Sequence, residues 1–108
     1  MPENIAEGLA LMDCFVYVIG CRVKSRTLTY VGWSNDIMRR LKQHNSGKGA
    51  RSTRGREWVL LYSEWFPTKR EAMSREWHLK RDRKLRKKLA ATFPEKSKKR
   101  VGRRPKIL

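Results

Sequence analysis

Five side chains of this 108-residue chain have the types and order that an attack on a phosphodiester requires. Two are tyrosines, in Phe15-Val16-Tyr17 and Tyr30-Val31-Gly32. Arg40 and His44 follow, and Glu76 comes last. A phenol titrates near pH 10 in isolation, so it acts as a general base only where cationic neighbours favour the phenolate, and this chain is rich in cations. Either tyrosine could equally be a core residue with a satisfied hydroxyl. Arg40 offers a planar fork of donors suited to charge developing on a pentacoordinate phosphorus, or it is a surface arginine lying along its own apolar stem. His44 could orient a phosphate or the attacking water, or be structural.

Glu76 carries the most information. Thr68 and Glu71 form a capping box that opens a helix through at least Lys80. At about 100° per residue, Ala72, Met73, Trp77 and Leu79 share one side of it, and Glu76 falls inside their arc. A carboxylate buried among apolar side chains is costly unless it is paired or holds a metal. Two explanations stay open. Glu76 pairs with Lys80 at i+4, or with an arginine of another element. Alternatively it is an oxygen ligand for Mg²⁺ or Mn²⁺, ions that need few protein carboxylates when a substrate phosphate supplies other ligands. Glu71 and His78 are expected to face outward.

The elements that must position these groups are legible from pattern. Phe15–Cys21 and Thr27–Trp33 are rich in β-branched and aromatic residues around a polar turn, which predicts an antiparallel hairpin. With an even loop, paired positions sum to an odd number, so Tyr17, Ile19, Tyr30 and Gly32 share one face and Val16, Val18 and Val31 the other. Ser34-Asn35-Asp36 supplies N-cap oxygens for a helix to about His44, ended by Asn45-Ser46-Gly47. Ile37 and Leu41 define its apolar side, Arg40 and His44 edge that side, and Arg39 points to solvent. Residues 46–56 form a basic loop, followed by a third strand over Trp58–Trp65. A further short helix carries Leu85, Leu89, Ala90 and Phe93 after a break near Arg81-Asp82-Arg83.

Length admits one domain: an N-terminal arm over 1–12, a folded unit over 13–93 and a basic tail over 94–108, expected to lack order until a polyanion binds. The arm contains Glu3 and Glu7 and lacks the basic leader and apolar length of a signal peptide or membrane span. Formal net charge is +17, and residues 80–108 hold 14 Lys or Arg against Asp82 and Glu95. A polyanion is the natural partner for such a field, nucleic acid ahead of an anionic membrane. Lys48, Arg51, Arg54 and Arg56 of the loop, with Lys80, are the candidate phosphate contacts. Cys14 and Cys21 lie about 23 Å apart on one extended strand, beyond disulfide reach. They are expected to be reduced thiols in a cytoplasmic, nucleoid-associated setting. No zinc-finger spacing is present.

Taken as a set, Tyr17, Tyr30 with Gly32, Arg40 within Met38-Arg39-Arg40-Leu41, His44-Asn45, and Glu76 within Glu71-Ala72-Met73-Ser74-Arg75-Glu76 resemble the motifs of the GIY-YIG endonuclease superfamily over about Phe15 to Lys88. The likeness is to small standalone bacterial members, related to the N-terminal nuclease domain of the excinuclease C subunit. Phe15 departs from the pattern by replacing the first motif's glycine. The resemblance implies an α+β fold, a three-stranded antiparallel sheet flanked by helices. It also implies DNA hydrolysis with one divalent cation, Mg²⁺ or Mn²⁺, on Glu76. Tyr17 would be the base, Tyr30 would support water or phosphate, and Arg40 the transition state. The expected activity is structure-selective or weakly sequence-specific cleavage in a repair or recombination setting. The alternative is a non-catalytic nucleic-acid-binding protein or a partner-dependent subunit; RNA as substrate, a protein partner and oligomeric state are left open.

Overall fold

Ten residues of the central strand are apolar almost without interruption, and the architecture explains why. The computed structural model describes residues 13–94; the expected arm and nearly all of the expected tail lie outside them. Strand β1 (Cys14–Val23) pairs antiparallel with β2 (Arg26–Ser34) on one side and with β3 (Val59–Phe66) on the other, giving the order β2-β1-β3. A strand covered on both faces needs apolar side chains on both. Cys14, Val16 and Val18 pack with Val31, Ala72 and Leu79 on one face, while Tyr17, Ile19 and Cys21 pack with Trp58 on the other. The two cysteines therefore sit on opposite faces, buried and unbridged. The fold is α+β, as the resemblance implied.

The hairpin register places Tyr17 opposite Gly32 and Ile19 opposite Tyr30. Paired numbers sum to an odd value, so the two tyrosines occupy one face as diagonal neighbours. A two-residue turn joins the strands, with Lys24 in the left-handed region at φ 59°. Between Val18 and Ile19 the pairing with β3 slips by one residue, leaving Leu61 extra and turning it to the valine face.

Helix α1 (Ile37–Asn45) covers the tyrosine face. Asp36 caps it by accepting from the Arg39 amide at 3.1 Å, and Gly47 at φ 83° lets the chain leave. A short 3-10 turn over Arg51–Thr53 interrupts the loop to β3. Helices α2 (Lys69–Arg81) and α3 (Arg83–Ala90) cover the valine face. The Thr68 hydroxyl accepts from the Glu71 amide, and Asp82 closes α2 while accepting from the Leu85 amide to start α3. Arg75 of α2 is clamped by two bonds to Glu64 of β3, at 2.8 and 3.0 Å, and Glu64 also accepts from the Tyr62 hydroxyl.

The apolar arc expected on α2 is only half present. Ala72 and Leu79 are fully buried, but Met73 and Trp77 are 46% and 54% exposed. The helix touches the sheet along a narrow line, and Arg81 stacks over the Trp77 ring at 3.7 Å on the solvent side. Glu76 therefore borders the core instead of lying within it, with 19% of its side chain exposed. Among the described residues no helix is long and apolar enough to cross a membrane.

Candidate active site

The tyrosine face of the sheet delivers Tyr17 to the underside of α1. Its ring is 1% exposed, and its hydroxyl meets His44 Nε2 at 2.8 Å. Gly32 makes this possible: a Cβ there would stand 2.5 Å from the Tyr17 hydroxyl oxygen. The glycine of the second tyrosine segment is thus a space for a phenol, set by the strand register.

His44 is fully buried, deeper than the helix-edge position expected from its periodicity. The chain folds over it. Its Nδ1 lies 2.9 Å from the Thr53 hydroxyl oxygen, and that hydroxyl lies 2.7 Å from the Ala50 carbonyl. A carbonyl can only accept, so the Thr53 proton goes to Ala50, and Thr53 must accept from Nδ1–H. The ring proton is then on Nδ1, and Nε2 presents a lone pair to the Tyr17 O–H. Burial, reinforced by the nearby Arg40 charge, lowers the His44 pKa below its usual 6.5. The imidazole is neutral near pH 7, as this tautomer requires.

The loop is tied down around this pair. Trp58 donates its indole N–H to the Thr53 carbonyl at 2.8 Å, while Asn45 brackets the Trp58 backbone, accepting from its amide and donating to its carbonyl. Gly49 passes so close that a Cβ would lie 2.5 Å from His44 Nδ1. Tyr30 packs its ring 5.0 Å from the imidazole and 6.4 Å from Trp58.

Electrostatics overturn one expectation. The Tyr17 phenol is not lowered toward phenolate; burial pushes it up to about 12, against the pull of Arg40, with the Tyr30 and Glu76 charges adding to the rise. The surrounding cations are mostly exposed and cannot offset the desolvation of a phenolate. Tyr17 holds its proton unless it is handed to His44.

Arg40 is partly buried and donates to Gln43 at 2.8 Å, and it acts on both Tyr17 and His44. Arg39 is in solvent beside Asp36, as its helical position predicts. Glu76 reaches the group from the opposite face of the sheet, near enough for its charge to be felt at the Tyr17 hydroxyl. It also lies 3.6 Å from Lys80. The pairing alternative is therefore present, but as an i,i+4 contact with a half-exposed lysine, an interaction of little strength. Lys80 makes this contact while remaining half exposed. Lys48, Arg51, Arg54 and Arg56 are exposed around the loop, where Arg56 donates to the Ser52 carbonyl. His78 is exposed and bonded to its own helix.

The structure thus gathers Tyr17, Tyr30, Arg40 and His44, and brings Glu76 within electrostatic reach. Thr53, Trp58 and Gly49 complete the site without having been singled out in the sequence. Among the described residues no group of three or more His, Cys, Asp or Glu is assembled to hold a metal.

Residues 13–89 match the family described as the GIY-YIG catalytic domain. UPF0213 protein CPE1444 of Clostridium perfringens is 47% identical over 68 residues, covering 62% of this chain and 70% of that protein. UPF0213 protein YazA of Bacillus subtilis is 43% identical over 76 residues, covering 69% and 74% respectively. Among solved structures, the chain is similar to the solution NMR structure of UPF0213 protein BH0048 from Bacillus halodurans, at 38% identity and a TM-score of 0.42, over 76% of this chain and 86% of that one.

Proposed function

The chain belongs to the GIY-YIG catalytic-domain family, and from that premise we propose that it is a divalent-metal-dependent endonuclease hydrolysing DNA phosphodiester bonds. The family as a whole is of nuclease type, acts on nucleic acid and generally uses divalent metal. The observation that carries the finer reading is the 2.8 Å contact between the Tyr17 hydroxyl and His44 Nε2, with the acceptor role of Nε2 imposed by Thr53.

In this reading Tyr17 is a base by relay. A water attacking phosphorus gives a proton to the Tyr17 oxygen as Tyr17's own proton moves to His44 Nε2, so no free phenolate forms. The imidazolium that results keeps its Nδ1–H bond to Thr53. As the phosphorus–oxygen bond to the leaving sugar breaks, the departing oxygen takes a proton from water. Arg40 stands where negative charge grows on the phosphoryl oxygens, and Tyr30 holds the water or a phosphate oxygen from the other side.

A lone carboxylate is a sparse metal site, yet it suits Mg²⁺ or Mn²⁺, which retain waters and share substrate phosphate oxygens. Glu76 would hold one such ion, whose chemistry is to neutralise phosphoryl charge and polarise the linkage. Lys48, Arg51, Arg54 and Arg56 would grip the backbone. The small domain offers little surface for reading base edges, which favours branched or nicked DNA over a long recognition sequence, and hence a repair or recombination setting.

The test is nicking of branched, nicked and plain DNA with Mg²⁺, Mn²⁺ or EDTA, comparing the parent with Tyr17→Phe and Glu76→Ala. The expected result is metal-dependent cleavage by the parent, lost in both variants while DNA binding survives. A parent that binds but cuts none of these substrates, or a Glu76→Ala protein that cuts equally well, defeats the reading.

A further inference from the structure

Strand β2 is an edge of the sheet, and two adjoining depressions run along it, sharing Thr27, Thr29 and Arg86 in their walls. The first, of about 300 Å³, lies between β2 and α3 and adds Arg83 and Lys87. The second, of about 410 Å³, continues over the edge to Tyr30, Arg56 and the loop. By strand alternation Thr29 belongs to the valine face and Tyr30 to the tyrosine face, so this groove leads from α3 around the sheet edge to the candidate active site. Arg86 is common to both halves.

No carboxylate lines either half. Arg86 Nε is buried and has no hydrogen-bond partner, the only side-chain nitrogen or oxygen so placed among the described residues. A desolvated guanidinium N–H without an acceptor is unfavourable and calls for an explanation. An acceptor supplied from outside the chain is the one the surroundings favour. Arg83, Lys87 and Arg56 add three further cations, and the threonine hydroxyls add neutral donors. The occupant is therefore anionic and rich in acceptor oxygens. A second copy of this chain is a poor candidate, because it too carries +17.

We propose that this groove seats a phosphodiester of the DNA backbone away from the scissile linkage, with Arg86 as its central donor, on the strand that continues past Tyr30. The assignment rests on the nuclease reading for the identity of the polymer, while the seat itself follows from charge and geometry. It gives substrate a defined path and adds a contact that fixes where the chain lies relative to Tyr17.

The experiment follows the Arg86 side-chain Nε–H signal and the Thr27 and Thr29 amide signals by NMR while short branched, nicked and plain DNA duplexes are added in turn, with metal-dependent cleavage assayed on the same three substrates. Arg86 Nε–H is expected to shift together with the loop amides. Removing one phosphate contact lowers the salt slope by about 0.9, so between 50 and 200 mM salt Arg86→Ala should lose about 3.5-fold less affinity than the parent. Lys84→Ala, the same charge removed from α3 outside the groove, sets the baseline for bulk charge. Arg86→Lys, which keeps the charge and the stem, should restore the slope if Arg86→Ala folds poorly. An Arg86 signal that stays still while the loop amides move overturns the seat, and if cleavage persists the nuclease reading stands without it. A shifted Arg86 signal with no cleavage supports the seat and counts against the nuclease. Absence of DNA binding overturns both, and β2 signals that move with protein concentration alone assign the edge to a second copy instead.

Discussion

Replacing Thr53 by valine removes one oxygen from the interior and tests the whole relay. Thr53 is fully buried, so the change touches no surface on which DNA could lie. Its hydroxyl both accepts from His44 Nδ1 and donates to the Ala50 carbonyl. With valine, either Nδ1–H is left buried without an acceptor, or the ring proton moves to Nε2 and donates to the Tyr17 oxygen. In the second case the base is gone, because Nε2 no longer has a lone pair for Tyr17. An unsatisfied buried polar group costs roughly 1–3 kcal/mol. At about 4–8 °C per kcal/mol for a domain of this size, Thr53→Val should melt roughly 5–20 °C below the parent. The chemical step should slow by about 10²–10⁴-fold, the usual contribution of a positioned general base. Single-turnover cleavage at saturating DNA and metal, below the variant's melting range, isolates that step. Thr53→Ser restores the hydroxyl and should restore most of the rate. DNA affinity should be unchanged in both. A folded Thr53→Val protein that cleaves as fast as the parent would refute the claim that His44 takes the Tyr17 proton.

Gly32→Ala should displace the Tyr17 ring, since the added carbon would sit 2.5 Å from its oxygen, and cleavage should fall with only a modest change in DNA affinity, measured by nicking and by fluorescence anisotropy. The depressed His44 pKa fixes a sign. In the folded state the ring stays neutral where the unfolded chain is protonated, so stability falls as pH drops below about 6.5, by at most about 1.4 kcal/mol per pH unit from this residue. Melting curves of the parent against His44→Gln between pH 5 and 7 should show that dependence removed, while cleavage by the parent should decline only at lower pH, where the folded ring is itself protonated. For Tyr17, raised to about 12, the sign is opposite: the folded state keeps a proton that the unfolded chain releases near pH 10, so stability falls as pH rises above about 10. Lys80→Met removes the cation beside Glu76 and should lower the Mg²⁺ concentration giving half-maximal cleavage; an unchanged midpoint would mean the pair does not compete with metal.

Much of this protein is written in local pattern. The hairpin, its odd-sum register and the Thr68–Glu71 cap follow from strand alternation and capping chemistry, and all three appear as expected. So does the break at Asp82. Periodicity served less well on α2, because it records which residues are apolar and cannot say how broad a face the partner covers. Met73 and Trp77 are apolar and exposed, and Glu76 is correspondingly less buried than the arc suggested.

The sequence by itself determined the candidates: two tyrosines on one face, an arginine and a histidine on the following helix, and a late glutamate. Which proton sits on which atom was decided only by tertiary structure. His44 is neutral, with its proton on Nδ1, because the loop returns to bury it and brings Thr53, nine residues on, within 2.9 Å. Tyr17 is raised instead of lowered because desolvation acts on every charged form inside the fold, while the cations that could oppose it remain mostly in water. Burial and hydrogen-bond direction belong to atoms brought together from distant positions, and no spacing along the chain encodes them.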